Sequence, residues 1–259
     1  MTLQDVKCFL LDMDGTFYLG NNLIEGSLDF IEKVRPPGRD FLFLTNNSSH
    51  NADFYVKRLH GMGLDVPREK ILTSGEATAD KLNQLYPGKR AFVLGNEYLI
   101  EEFTQMGVIV DQENPEIVVI GYDTTLDYKK MTRVCDLVRA GLPYIATHPD
   151  FNCPTETGFA PDIGAIMAFI EASAFRRPEL IVGEPNTGIV EAALRRTGLK
   201  AGEMAMVGDR LYTDIETGLR SGMLSILVMS GETTEEMLAK SETVPDLKFG
   251  RLADMIPLL

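Results

Sequence analysis

Asp12 and Asp14 stand two residues apart at the end of an apolar run, followed at once by Gly15 and Thr16. Carboxylates this close repel unless a proton or a cation lies between them. A hard divalent cation meets that need with oxygen ligands, and magnesium characteristically keeps room for substrate phosphate. Gly15 permits a sharp turn with the backbone close to a ligand. Taken alone, Asp-x-Asp-Gly also reads as a solvated turn leaving a strand. Far along the chain, Gly208-Asp209-Arg210 is followed by Asp214, five residues beyond Asp209. A turn opening a helix could aim both carboxylates at one point, although acids also serve as helix caps. Between these segments, Thr45-Asn46-Asn47-Ser48-Ser49 offers a hydroxyl and amides that can donate to phosphate oxygens. The same residue types open helices.

Each of these groups follows a short apolar run. Val6 to Leu11 precedes Asp12, Phe41 to Leu44 precedes Thr45, and Met204 to Val207 precedes Gly208. Ala91 to Leu94, Ile117 to Ile120, Tyr144 to Ala146, Leu180 to Val182 and Ser225 to Val228 have the same strand-like character. Helical patterns such as Leu28 to Val34 and Phe54 to Met62 lie between most of them. Such alternation predicts an α/β fold built on parallel sheets. In a parallel sheet the carboxyl ends of the strands line the ligand crevice. Acids at two strand ends and a hydroxyl-amide cluster at a third are a stronger signal than any one alone.

Bulk properties narrow the partners. The chain has 259 residues, 44% of them hydrophobic, enough for one large α/β domain or two smaller ones. A net charge of -13 provides no field to gather a polyanion, which argues against nucleic acid and leaves a small anion neutralised locally. Cys8, Cys135 and Cys153 are scattered and unpaired in pattern, as in a reducing compartment. The amino-terminal residues carry no signal-like segment and no apolar run is of membrane-spanning length, so a cytoplasmic location without membrane attachment is expected.

These phrases closely resemble the haloacid dehalogenase superfamily of aspartate-nucleophile phosphatases. Asp12 to Thr16 matches its first motif, Thr45 its second, and Gly208-Asp209 with Asp214 its fourth. More narrowly, Asp14-Gly15-Thr16-Phe17-Tyr18-Leu19-Gly20, Leu44-Thr45-Asn46-Asn47-Ser48 and Gly183-Glu184-Pro185-Asn186 resemble the NagD-like, nitrophenyl phosphatase-like branch. The resemblance implies a doubly wound, Rossmann-like core with an inserted α/β cap. It places the core at residues 1–77 and 181–259 and the cap at 78–180. It implies hydrolysis of a small phosphorylated metabolite (a sugar phosphate, phosphoglycolate, nucleotide or aryl phosphate). Asp12 would be the nucleophile and Asp14 the general acid and base. Magnesium would be held by Asp12, Asp14 through its carbonyl, Asp209 and Asp214, and the phosphoryl group by the Thr45-Asn46-Asn47 segment. A homodimer formed through the cap is admitted by resemblance only.

One position departs from the motif. The branch usually has Gly-Lys-Pro where this chain has Gly183-Glu184-Pro185, a change from +1 to -1. A carboxylate beside the nucleophile and a phosphate would repel both. Three readings stand: Arg210 or a Lys from elsewhere replaces the cation, Glu184 binds a second cation, or the substitution inactivates. Asn186 completes that phrase. In the cap, the polar run from Ala146 to Thr155 is expected to be a loop, and His148, Asn152 and Asp162 are candidate substrate contacts. An ordinary loop histidine is an equal reading of His148. Besides a hydrolase, a silent binder of a phosphorylated metabolite and a phosphotransferase or mutase remain open.

Overall fold

A computed structural model describes residues 2–35, 38–155 and 158–259. The chain divides into two compact units: residues 1–45, 55–72 and 193–259 form the first, and 46–54 with 73–192 the second.

The first unit is organised by a six-stranded sheet. In spatial order its strands are Leu247–Phe249, Leu224–Val228, Met204–Gly208, Cys8–Asp12, Asp40–Thr45 and Ile71–Thr73. The pairings of Cys8–Asp12 with both neighbours are parallel, as the alternating sequence predicted. Cys8 to Leu11 are buried without alternation, the mark of a strand covered on both faces. Phe9 packs edge-on against Phe30 of the helix Ser27–Val34, and Phe17 packs edge-on against Phe43.

Register decides what meets at the carboxyl edge. Leu11 lies opposite Val207, and Asp12 opposite Leu44. Asp12 therefore sits one step short of Thr45 on one side and, level with Gly208, one step short of Asp209 on the other. Helices cannot begin until the chain clears the sheet, so the side chains of these tips open onto one edge.

The second unit has its own five-stranded parallel sheet, in the order Leu180–Ile181, Tyr144–Ala146, Ile117–Ile120, Arg90–Leu94 and Ile109–Val110. Val134, Val138, Ile163 and Ile170 pack on one face of it, and Leu82, Leu99 and Phe103 on the other.

Two features differ from the sequence expectation. The run from Ala146 to Thr155 is not all loop: Asn152–Thr155 pairs antiparallel with Gly158–Pro161. The strand Gly158–Pro161 is largely exposed, so no apolar alternation marks it. Leu211–Ile215 forms a widened π-helical turn, with Ile215 N donating to Arg210 O, in place of an ordinary helix start.

Candidate active site

The opening strand delivers Asp12 to the edge of the sheet and the chain then turns at once. Met13 O accepts from Phe17 N and Tyr18 N, and Gly15 N donates 2.7 Å to Tyr18 O. Gly15 has φ +98°, a left-handed conformation. A Cβ there would lie 2.5 Å from Asp209 Oδ2, so the glycine is also the space that the last acidic motif fills.

The second acidic motif is fitted in the same way. Gly208 has no side chain where Asp214 comes back, because a Cβ would overlap the Asp214 carboxylate. The widened turn 211–215 brings Asp214 there, and Arg210 N donates 2.9 Å to Asp214 Oδ2 while Thr213 Oγ1 donates 3.0 Å to Oδ1. π-type turns of this sort gather at functional sites.

Asp12, Asp209 and Asp214 consequently offer carboxylate oxygens that all lie within 4.8 Å of one another. Asp209 and Asp214 are buried, and Asp209 Oδ1 has no hydrogen-bond partner among the described residues. Burial pushes both carboxyls above the ordinary carboxylate range. At Asp214 the Asp209 charge adds to that, and Arg210 opposes it in both. Burial also works against the Arg210 charge, yet Asp12, then Asp214 and Asp209, hold the guanidinium firmly protonated. An orphaned buried oxygen within a set of hard oxygen donors of like charge is what a divalent cation would satisfy. The residues present therefore fit a magnesium-type ion. Asp14 stands apart from this cluster, with an exposed side chain whose Oδ1 lies 3.5 Å from Gly20 N. Thr45 is buried at the tip of the neighbouring strand.

Sequence reasoning missed the segment after Leu224–Val228. Glu232 N donates 2.5 Å to Asp209 Oδ2, Thr233 Oγ1 donates 2.5 Å to Asp209 O, and Ser230 Oγ donates 2.7 Å to Gly15 O. Gly231 leaves room for Asp209, as Gly15 does. Glu232 thus lies against Asp209, ahead of the following helix. The helix starts at Glu235, and the Glu232 carboxylate lies 3.1 Å from Arg210 Nε. The signal available was position: this strand adjoins Met204–Gly208, so its carboxyl end shares that edge.

The remaining candidates belong to the second unit. The Asn46 carboxamide accepts from Glu184 N at 2.9 Å and donates to Glu184 O at 3.1 Å and Asp150 Oδ2 at 3.2 Å. Gly183 makes this possible, since a Cβ would lie 2.6 Å from Asn46 Oδ1. Glu184 is buried, and Asn186 Nδ2 closes the turn on Gly183 O. Asn47 Oδ1 accepts from Ser49 N and Oγ.

His148 is fully buried and ends a chain of hydrogen bonds. Tyr122 N donates to Ser48 Oγ, Ser48 Oγ lies 3.0 Å from Thr147 Oγ1, and Thr147 Oγ1 lies 2.9 Å from His148 Nδ1. His148 Nε2 lies 3.2 Å from Asp162 Oδ1, which also accepts from Ile163 N. With a neutral ring, one direction satisfies every hydroxyl: His148 donates from Nε2 and accepts at Nδ1. Asn152, in contrast, is exposed.

Comparison with known proteins agrees with this geometry. The family model described as haloacid dehalogenase-like hydrolase matches residues 9–109, and a HAD-like hydrolase model matches residues 181–255. An acid sugar phosphatase of Staphylococcus aureus (strain MRSA252) is 35% identical over 98% of each chain. The crystal structure of a 4-nitrophenylphosphatase from Thermotoga maritima superposes with a TM-score of 0.96 at 47% identity, covering 98% of each chain. NagD from E. coli K-12 superposes with a TM-score of 0.89 at 32% identity, covering 96% of this chain and 98% of that one.

Proposed function

We propose that this chain, which belongs to the haloacid dehalogenase-like hydrolases, is a magnesium-dependent phosphatase of small phosphomonoesters that works through a phosphorylated Asp12. The observation that carries the reading is the convergence of Asp12, Asp209 and Asp214 on one point, with a buried Asp209 oxygen left for a cation. Relatives named as sugar and nitrophenyl phosphatases support the substrate class.

A cation held by the Asp12, Asp209 and Asp214 carboxylates and the Asp14 carbonyl would neutralise charge on the nucleophile and the phosphoryl oxygens. An Asp12 oxygen bonds to phosphorus as the bond to the leaving oxygen breaks, and Asp14 gives that oxygen its proton. Asp14, now a carboxylate, takes a proton from water. The water oxygen attacks phosphorus, the Asp12–phosphorus bond breaks, and inorganic phosphate leaves. Dividing one displacement into two is the use of a carboxylate nucleophile. Thr45 grips the phosphoryl oxygens with backbone help from Asn46 and Asn47, while the Asn46 side chain braces the Glu184 turn. Arg210, facing the three carboxylates, supplies the charge that a motif Lys supplies elsewhere.

Residues 78–180 serve as the specificity-determining cap. Within it Asn152 is the accessible candidate for substrate contact, while Asp162, whose N donates to Phe151 O, lies 3.2 Å from His148 Nε2. The protein acts in the cytoplasm. No helix of the described residues is long and apolar enough to cross a membrane. A homodimer through the cap belongs to the same reading.

The test is release of inorganic phosphate from a panel of sugar, glycerol and aryl phosphates with and without magnesium. Magnesium-dependent release supports hydrolysis. Ligand-induced stabilisation without turnover would indicate a silent binder, and transfer without free phosphate would indicate a mutase.

A further inference from the structure

The turn that carries Asp14 is not held by the sheet. After Gly15 the chain forms a hairpin of only two residues a side, Tyr18–Leu19 against Asn22–Leu23. A two-stranded hairpin this short has marginal stability by itself. Yet Asp14 is set against it: the backbone bonds Tyr18 N to Met13 O and Gly15 N to Tyr18 O bridge Asp14 to Tyr18, and Gly20 N lies 3.5 Å from Asp14 Oδ1.

Arg58 provides an external brace. It lies in the last turn of the helix Ala52–Gly61. Its guanidinium stands 4.7 Å over the Tyr18 ring, and one of its terminal nitrogens donates 2.6 Å to Gly20 O. The planar fork thus touches both ends of the segment that Asp14 rests on. Tyr18 is buried beneath it, whereas Leu19 and Gly20 are exposed at the tip. Cation–ring contacts gain strength when the ring is shielded from water.

We infer that Arg58 is a positioning residue for proton transfer by Asp14: by clamping Tyr18 and Gly20 it fixes the turn that aims the Asp14 carboxyl at the leaving oxygen. The inference rests on the reading of Asp14 as proton donor. Asp14 also serves the hydrolysis of phosphorylated Asp12, which is the same for every substrate, so the substrate-selective defect is predicted for the first step, transfer to Asp12. A nitrophenolate leaves without a proton, whereas an alkoxide needs one as the phosphorus–oxygen bond breaks.

The experiment compares the single-turnover rate of leaving-group release, with enzyme in excess and magnesium present, for glycerol phosphate and for 4-nitrophenyl phosphate in wild type, Arg58→Ala, Arg58→Lys and Asp14→Asn. For Arg58→Ala the alkyl substrate should lose about tenfold or more and the aryl substrate less than about threefold. Arg58→Lys keeps a donor for Gly20 O but not the planar face, so it should show a smaller loss of the same selectivity. Should Arg58→Ala not fold, the ratio in Arg58→Lys decides. Equal losses on both substrates, or none, in the Arg58 variants beside a selective loss in Asp14→Asn would overturn the role of Arg58 alone. An unselective Asp14→Asn would overturn the proton assignment, and the inference with it.

Discussion

Gly15 and Asp209 occupy what would be one side chain's worth of space: a Cβ on the first would lie 2.5 Å from a carboxylate oxygen of the second. They are far apart in sequence, and each is shaped by the other. Gly15→Ala should therefore fail twice, through its φ of +98° and through displacement of Asp209. Backbone strain of this kind costs on the order of 1–3 kcal/mol. Chemical denaturation should report a loss of that size, and magnesium titration should show weakened binding.

Asp209 carries a buried oxygen without a hydrogen-bond partner among the described residues, amid like charges. Removing the charge relieves that repulsion when no cation is bound and removes a ligand when one is. Metal-free Asp209→Asn should melt no lower than the metal-free wild type. Added magnesium should raise the melting temperature of wild type and leave the variant nearly unmoved. Equal magnesium-induced shifts in both proteins would exclude Asp209 as a ligand.

Arg210 and Glu184 make opposing predictions about where the transferring charge is balanced. With Arg210 in that role, Arg210→Gln should lower kcat by about a hundredfold, the usual scale for a lost transition-state charge contact. Glu184→Lys should bring no appreciable gain with an aryl phosphate. A large gain from Glu184→Lys, with Arg210→Gln near wild type, would identify Glu184 as a handicap and remove Arg210 from the chemistry.

How much of this was legible in the chain depends on what each element buries. Cys8–Asp12, Asp40–Thr45 and Met204–Gly208 are covered on both faces, so they read as unbroken apolar runs that end in the chemistry they present. The α/β class followed from them, as did the convergence of Asp12 with Asp209 and Asp214. The pairs Tyr18–Leu19 with Asn22–Leu23 and Asn152–Thr155 with Gly158–Pro161 left no such trace, because strands of two to four residues are too short to show a periodic pattern. Ser230 to Thr233 acts on Asp209 largely through a backbone amide and a hydroxyl, and their residue types do not reveal a partner more than twenty positions away. Asn46 looked like a phosphate ligand because its amide can donate; that its side chain braces Glu184 is a fact of tertiary structure alone.

The central claim is that phosphoryl transfer passes through Asp12. Wild type mixed with a phosphorus-labelled aryl phosphate and magnesium, then quenched in acid within one turnover, should yield a labelled peptide containing Asp12. Asp12→Asn should yield no label and negligible turnover. Label on another residue, or undiminished turnover in Asp12→Asn, would contradict the account.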